Sequence, residues 1–79
     1  MSYDKEKEDA YYLLALHDIC QGLEIDAMED ILKEHEELEE YEICGALHKA
    51  ISFAKNNTVE SIIKEYDDAL DRIAEKAEE

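Results

Sequence analysis

The chain has no proline, no tryptophan and two glycines among its 79 residues. Residues that break helices and make turns are therefore nearly missing, and strands joined by tight turns have almost nothing to build on. Cysteine occurs twice, at Cys20 and Cys44, too few for a disulfide framework. The uninterrupted apolar run at residues 10–16 falls far short of the ~20 residues that span a bilayer. The first nine residues also lack the basic-then-apolar order of a secretory leader. These readings place the protein in the cytosol, with both cysteines reduced and buried as small hydrophobes. Cations are scarce too: 8 Lys and Arg face 23 Asp and Glu, a formal charge of -15. Such a surface repels nucleic acid and anionic lipid, so direct binding to either is not expected.

What remains is rich in Ala, Leu, Ile, Glu and Lys, a helix-forming mixture. A chain of this length forms one domain and buries only ~60% of its unfolded surface, which leaves little room for a reaction cleft. Residues 41–54 are apolar nearly all round, with Ile43, Cys44, Leu47, Ala50, Ile51 and Ala54 on one broad face. They predict a central helix flanked by others. The expected fold is all-α, a single domain built as a bundle of three or four helices at about 4–21, 26–38, 41–55 and 58–77.

The first helix is expected to stop at Gly22 and to carry Tyr12, Leu13, Leu16, Ile19, Cys20 and Leu23 toward the core. Tyr11, Leu14 and Ala15 point elsewhere, and Tyr11 with Leu14 are candidates for an interface with a second copy. Asp26 with Glu29 three residues later predicts a capping box opening the second helix. Either this helix breaks around residues 39–41 or it continues unbroken to residue 55. Asn57 or Thr58 caps the last helix. There Val59, Ile62, Ile63, Tyr66, Leu70, Ile73 and Ala77 fall on one near-heptad seam.

The stretch 34–42 holds six carboxylates, Glu34, Glu36, Glu37, Glu39, Glu40 and Glu42, with Tyr41 among them and no Lys or Arg. Acid every third or fourth residue of a helix gives one charge per ~5.4 Å, against one phosphate per ~3.4 Å along a DNA strand. Two adjoining acidic faces approach that density. Asp67, Asp68 and Asp71 supply a second acidic face on the last helix. The functional reading is a mimic of the nucleic-acid backbone that docks in a basic groove, with Tyr41 as anchor. The plainer reading is a solvated acidic surface. Solubility alone requires a net charge of only ~2–8, and the excess destabilises the compact state by self-repulsion, which favours a use for it.

His17 with Cys20, and Cys44 with His48, share helix faces, and antiparallel neighbours would present all four as a Cys2His2 zinc set. The cysteines already fit apolar seams and the short ligand signatures of zinc sites are missing, so no metal or other cofactor is expected. No glycine-rich phosphate loop and no nucleophile with a base at recognisable spacing appears, so the chain is not expected to be an enzyme.

Residues 40–51 resemble the second half of a UVR-type helical hairpin, in which an acid-aromatic-Glu triplet precedes two small residues, then Leu and Ile. Tyr41, Glu42, Leu47 and Ile51 match, while Cys44-Gly45 and His48-Lys49 depart from the usual pairs. The resemblance implies a hairpin used for protein contact. The small, acidic, helical profile is also similar to that of phage inhibitors of host defence, including anti-CRISPR and anti-restriction proteins. Together these readings lead to a non-enzymatic inhibitor whose partner is a basic nucleic-acid-binding protein. The alternative is a self-associating adaptor that acts through apolar helix faces as a homodimer.

Overall fold

Each helix end follows from a few local choices. A computed structural model describes residues 3–78, with side chains as far as Lys76, as four helices: α1 (Lys5–Cys20), α2 (Ile25–Glu37), α3 (Tyr41–Asn56) and α4 (Val59–Glu78). The described residues contain no strand, and no helix is long and apolar enough to cross a membrane.

Asp4 opens α1 by accepting a hydrogen bond from the Lys7 backbone N–H at 3.1 Å. The same helix ends in a Schellman motif. Gly22 takes φ 103°, its N–H reaches the Ile19 carbonyl, and the Leu23 N–H reaches that of Asp18, each at 3.0 Å. The end of α2 repeats this geometry without a glycine. Glu39 adopts φ 58°, its N–H donates to Glu36, and the Glu40 N–H donates to the His35 carbonyl at 3.0 Å. That turn resolves the choice at residues 39–41 in favour of a break, so α2 and α3 form a hairpin.

One expected cap lies elsewhere, and one choice between two is resolved. Glu24, not Asp26, precedes α2, and no side chain caps it. Ile25 joins the first turn because it packs on the core, which leaves Asp26 to favour the positive end of the helix dipole. Thr58 caps α4, its Oγ1 accepting from the Ser61 N–H at 3.2 Å. Asn57 instead turns back to the Phe53 carbonyl at 2.9 Å and closes α3.

The central helix is α3, as its composition requires: Ile43, Cys44, Ala46, Leu47, Ala50, Ile51 and Ala54 are all buried. It packs on α1 and α2, while α4 leans mainly on α1 and only lightly on α3. Ala15 and Leu16 from α1, Met28 and Leu32 from α2, and Ile62 from α4 complete the core. The body measures 37 × 36 × 18 Å. Its thinnest dimension is about two helix diameters of ~10 Å, so the bundle is a two-layer slab.

Two sequence readings of apolar faces need correction. On α4 the bundle covers Ile62 and Ala69, with Tyr66 and Ile73 half-buried, whereas Val59, Ile63 and Leu70 are exposed. The buried line advances by four, three and four residues along the helix from Ile62, and the heptad line lies beside it. Ala77, the last residue of the expected seam, lies outside the described side chains. On α1, Ala15 is buried and Tyr11 is half-buried against the core, so Leu14 alone of that trio is exposed.

Candidate partner-binding surface

The acidic stretch does not form one helix face. Glu34, Glu36 and Glu37 end α2, Glu39 forms the left-handed turn, and Glu40, Tyr41 and Glu42 begin α3. The result is an acidic knuckle, so the one-charge-per-turn spacing does not run through it. Two of its carboxylates serve the fold. Glu40 meets His35 Nδ1 at 3.1 Å, and Glu42 accepts the Asp4 backbone N–H at 3.1 Å. Glu34, Glu36, Glu37 and Glu39 are exposed, and beside them stand two large apolar side chains, Leu38 and Tyr41, 67% and 64% exposed.

The knuckle is electrostatically costly where it touches α2. Carboxylates near a helix C-terminus face the negative end of its dipole, an unfavourable placement of ~0.3–1 kcal/mol each. Glu40 and Glu42, at the start of α3, are favourably placed by the same rule. Among the described residues no Lys or Arg pairs with any of the six. Five of the eight cations are engaged elsewhere. Lys55 bonds Glu29 at 2.7 Å, Arg72 bonds Glu65 at 3.4 Å, Lys76 reaches Asp9 at 3.8 Å, and Lys5 and Lys49 both bond Glu8. Lys55 holds the Glu29 carboxyl below its ordinary value.

Asp67, Asp68 and Asp71 are exposed on α4, and the structure does not join them to the knuckle. Asp67 lies near Cys20 at the C-terminal end of α1, where its charge acts on the thiol. Glu42 lies by Asp4 at the N-terminal end. The length of α1 separates the two, ~24 Å at 1.5 Å per residue. On the helical wheel Asp67 and Asp71 border the exposed strip of Val59, Ile63 and Leu70, and Asp68 points away from it.

Sequence reasoning passed over Glu8. It continues the inward line of Tyr12, Ala15 and Ile19 on α1 and is 5% exposed. An isolated carboxylate there would be very unfavourable, but three donors converge on it. The Tyr3 hydroxyl donates to Oε2, while Lys49 Nζ and, at 2.7 Å, Lys5 Nζ donate to Oε1. Burial pushes the Glu8 carboxyl up, and the bonds from Lys49, Lys5 and Tyr3 outweigh it, leaving the pKa at about 2. The bond to Glu8 pushes the Tyr3 phenol up to about 12. Gly45 makes room: a Cβ there would sit 2.6 Å from Tyr3 Oη and 3.2 Å from Glu8 Oε2. Its lack of a side chain thus serves an internal contact. A glycine one helical register from Lys49 and a carboxylate on an apolar stripe were the signals available in the sequence.

The four metal candidates fall apart. Cys20 neighbours Asp67 of α4, and Cys44 neighbours Glu36 and Glu40. The His17 ring packs against Tyr66, tilted by 50° with centroids 5.8 Å apart, and His48 borders a separate groove with Tyr12. Among the described residues no three His, Cys, Asp or Glu side chains are placed to hold a metal ion. Burial first, then nearby carboxylates, pushes both thiols up, the opposite of an activated nucleophile. Tyr12 is also pushed up, by burial and by its 2.7 Å bond to Glu65. Lys5 is raised by its bond to Glu8. Every shifted group thus moves away from neutrality, whereas acid-base catalysts move toward it.

Compared with known proteins, the chain matches no family model, no curated protein and no solved structure.

Proposed function

We propose that this is a non-enzymatic binding protein whose acidic knuckle, residues 34–42, seats in the basic groove of a nucleic-acid-handling protein and blocks it. The supporting observation is the distribution of charge. Five of eight cations, Lys5, Lys49, Lys55, Arg72 and Lys76, are committed to Glu8, Asp9, Glu29 and Glu65. Glu34, Glu36, Glu37 and Glu39 stay uncompensated at a helix end that disfavours them. Stability given up at an exposed site is a common mark of function. Leu38 and Tyr41 supply apolar contacts within the charged patch, as anchors in charged interfaces do. An inhibitor of a host defence nuclease is one form this activity takes.

The test is capture from a nuclease-treated lysate with the native protein and with a Glu36→Gln, Glu37→Gln, Glu39→Gln, Glu40→Gln variant. The reading expects a basic nucleic-acid-binding protein that is retained by the native chain, released by rising salt or by duplex DNA, and lost with the variant. Retention of the same protein by both chains overturns it.

A further inference from the structure

A second surface, separate from the knuckle, carries its own recognition chemistry. The helices α1 and α4 run antiparallel, as the Asp9–Lys76 and His17–Tyr66 contacts show. Between them lies an open groove of about 540 Å³ lined by Ala10, Leu13, Leu14, His17, Tyr66 and Ile73. Leu14, 56% exposed, forms one wall. Opposite it the uncovered strip of α4 continues the apolar surface, with Val59 at 67%, Ile63 at 46% and Leu70 at 44% exposed. Val59, Ile63, Tyr66, Leu70 and Ile73 keep the four-three spacing of a coiled-coil seam. The bundle uses only the side of it toward Ile62 and Ala69. The open seam spans 14 residue steps, or ~21 Å, the footprint of a helix of four turns.

The rim defines what fits. Glu60, Asp67 and Asp71 flank the strip on α4, and Glu6 continues the line of Ala10, Leu13 and His17 on α1. Among the described residues two exposed cations also stand on the rim, Lys64 on the α4 flank and Lys7 one heptad before Leu14 on α1, and with Asp18 four residues after Leu14 the acids still outnumber them. A second copy of the chain would bring its own charge of -15 against this acidic rim, so like-charge repulsion disfavours it. We propose that the α1–α4 groove receives an amphipathic helix of a partner protein, its apolar face on Leu14, Ile63 and Leu70 and its flanks carrying Lys or Arg. This occupancy does not depend on the knuckle's role.

The probe is a synthetic helix of about 18 residues with leucines at heptad spacing and lysines elsewhere, alongside a scrambled peptide of the same composition. Binding is measured by fluorescence anisotropy at physiological salt, where charges more than ~8 Å apart are screened. The patterned peptide is expected to bind, and the scrambled one at least roughly tenfold more weakly. Leu14→Asp and Leu70→Asp are each expected to weaken binding by roughly tenfold, although both make the chain more acidic. Charge attraction alone gives the opposite sign. Leu14→Gln with Leu70→Gln is the parallel pair, and helical circular dichroism checks that each variant folds. The four-glutamine knuckle variant is expected to bind the peptide within about twofold of the native chain, which separates this proposal from the preceding one. Equal binding of both peptides, or aspartate variants that bind as well as the native chain, overturns it. So does sedimentation showing a dimer that Leu70→Asp dissociates, because the groove's occupant is then a second copy.

Discussion

The buried carboxylate of Glu8 on α1 accepts a hydrogen bond from the ammonium of Lys49 on α3, tying together two parallel helices. With the Asp4 N–H bonded to Glu42, four residues before Glu8 on the α1 side and seven before Lys49 on α3, this contact fixes the register of the pair. Lys49 and Lys5 are half in water, so their ends remain solvated if the acceptor is lost. Replacing Glu8 with Gln is expected to cost about 1–3 kcal/mol at neutral pH, the range for hydrogen bonds to charged groups, measured by urea unfolding.

The same group sets an acid dependence. The Glu8 carboxyl is lowered from 4.5 to about 2 on folding. Its contribution is therefore complete above pH 4.5 and declines as pH falls from 4.5 toward 2. Protonating the other carboxylates works in the opposite direction by relieving self-repulsion. Stability is expected to hold or rise on moderate acidification and then fall below about pH 4. The difference between the native chain and Glu8→Gln should shrink over that lower range, and a constant difference down to pH 2 would contradict the assignment.

Gly45 gives a paired test. Alanine in its place gains ~1 kcal/mol of helix propensity, but its Cβ displaces the Tyr3 hydroxyl from Glu8. Gly45→Ala alone is expected to be nearly neutral in melting temperature. In a Tyr3→Phe background the hydroxyl clash is gone and the 3.2 Å approach to Glu8 Oε2 remains, so the substitution should be more favourable than in the native background by up to ~1 kcal/mol, a coupling that a double-mutant cycle reads directly.

Glu39 carries backbone strain that glycine would relieve. At φ 58° it occupies the left-handed region, which costs a non-glycine residue ~1–2 kcal/mol. Glu39→Gly also removes a charge from the negative end of α2. A rise in stability of ~1 kcal/mol is expected in thermal or urea melts.

On α4 neighbouring residues should respond in opposite ways. Ala69 is 0% exposed, so Ala69→Leu is expected to cost ~1–3 kcal/mol by overpacking. Leu70→Ala should change stability by less than about 1 kcal/mol because that side chain, 44% exposed, is already close to half in water.

The fold was legible in the sequence wherever composition and helix signals agreed. The apolar girth of residues 41–54 marked the central helix, and Gly22 marked the end of the first. The break after α2 was harder to read because Glu39 does the work that Gly22 does, and carboxylates on both sides of it hide the change of face. On α4, Leu70 looked like core and Ala69 did not. A helix lying close to a neighbour needs the small residue at the contact, which hydrophobicity alone does not show. Glu8 escaped notice because its partners Tyr3, Lys5 and Lys49 converge only after α1 and α3 align. The acidic residues of the candidate surface were legible individually, but their division between a knuckle and a distant helix face was not.

A slab 18 Å thick has no deep interior except along its middle helix, so protection from solvent should follow a simple gradient. Amides of α3 are expected to exchange with deuterium last, and those of α4, which rests chiefly on α1 and only lightly on the central helix, first among the helices. If α4 opens in this way, it exposes Ile62 and Ala69 together with Leu13, and the chain would then briefly behave as a three-helix body with a loosely tethered fourth.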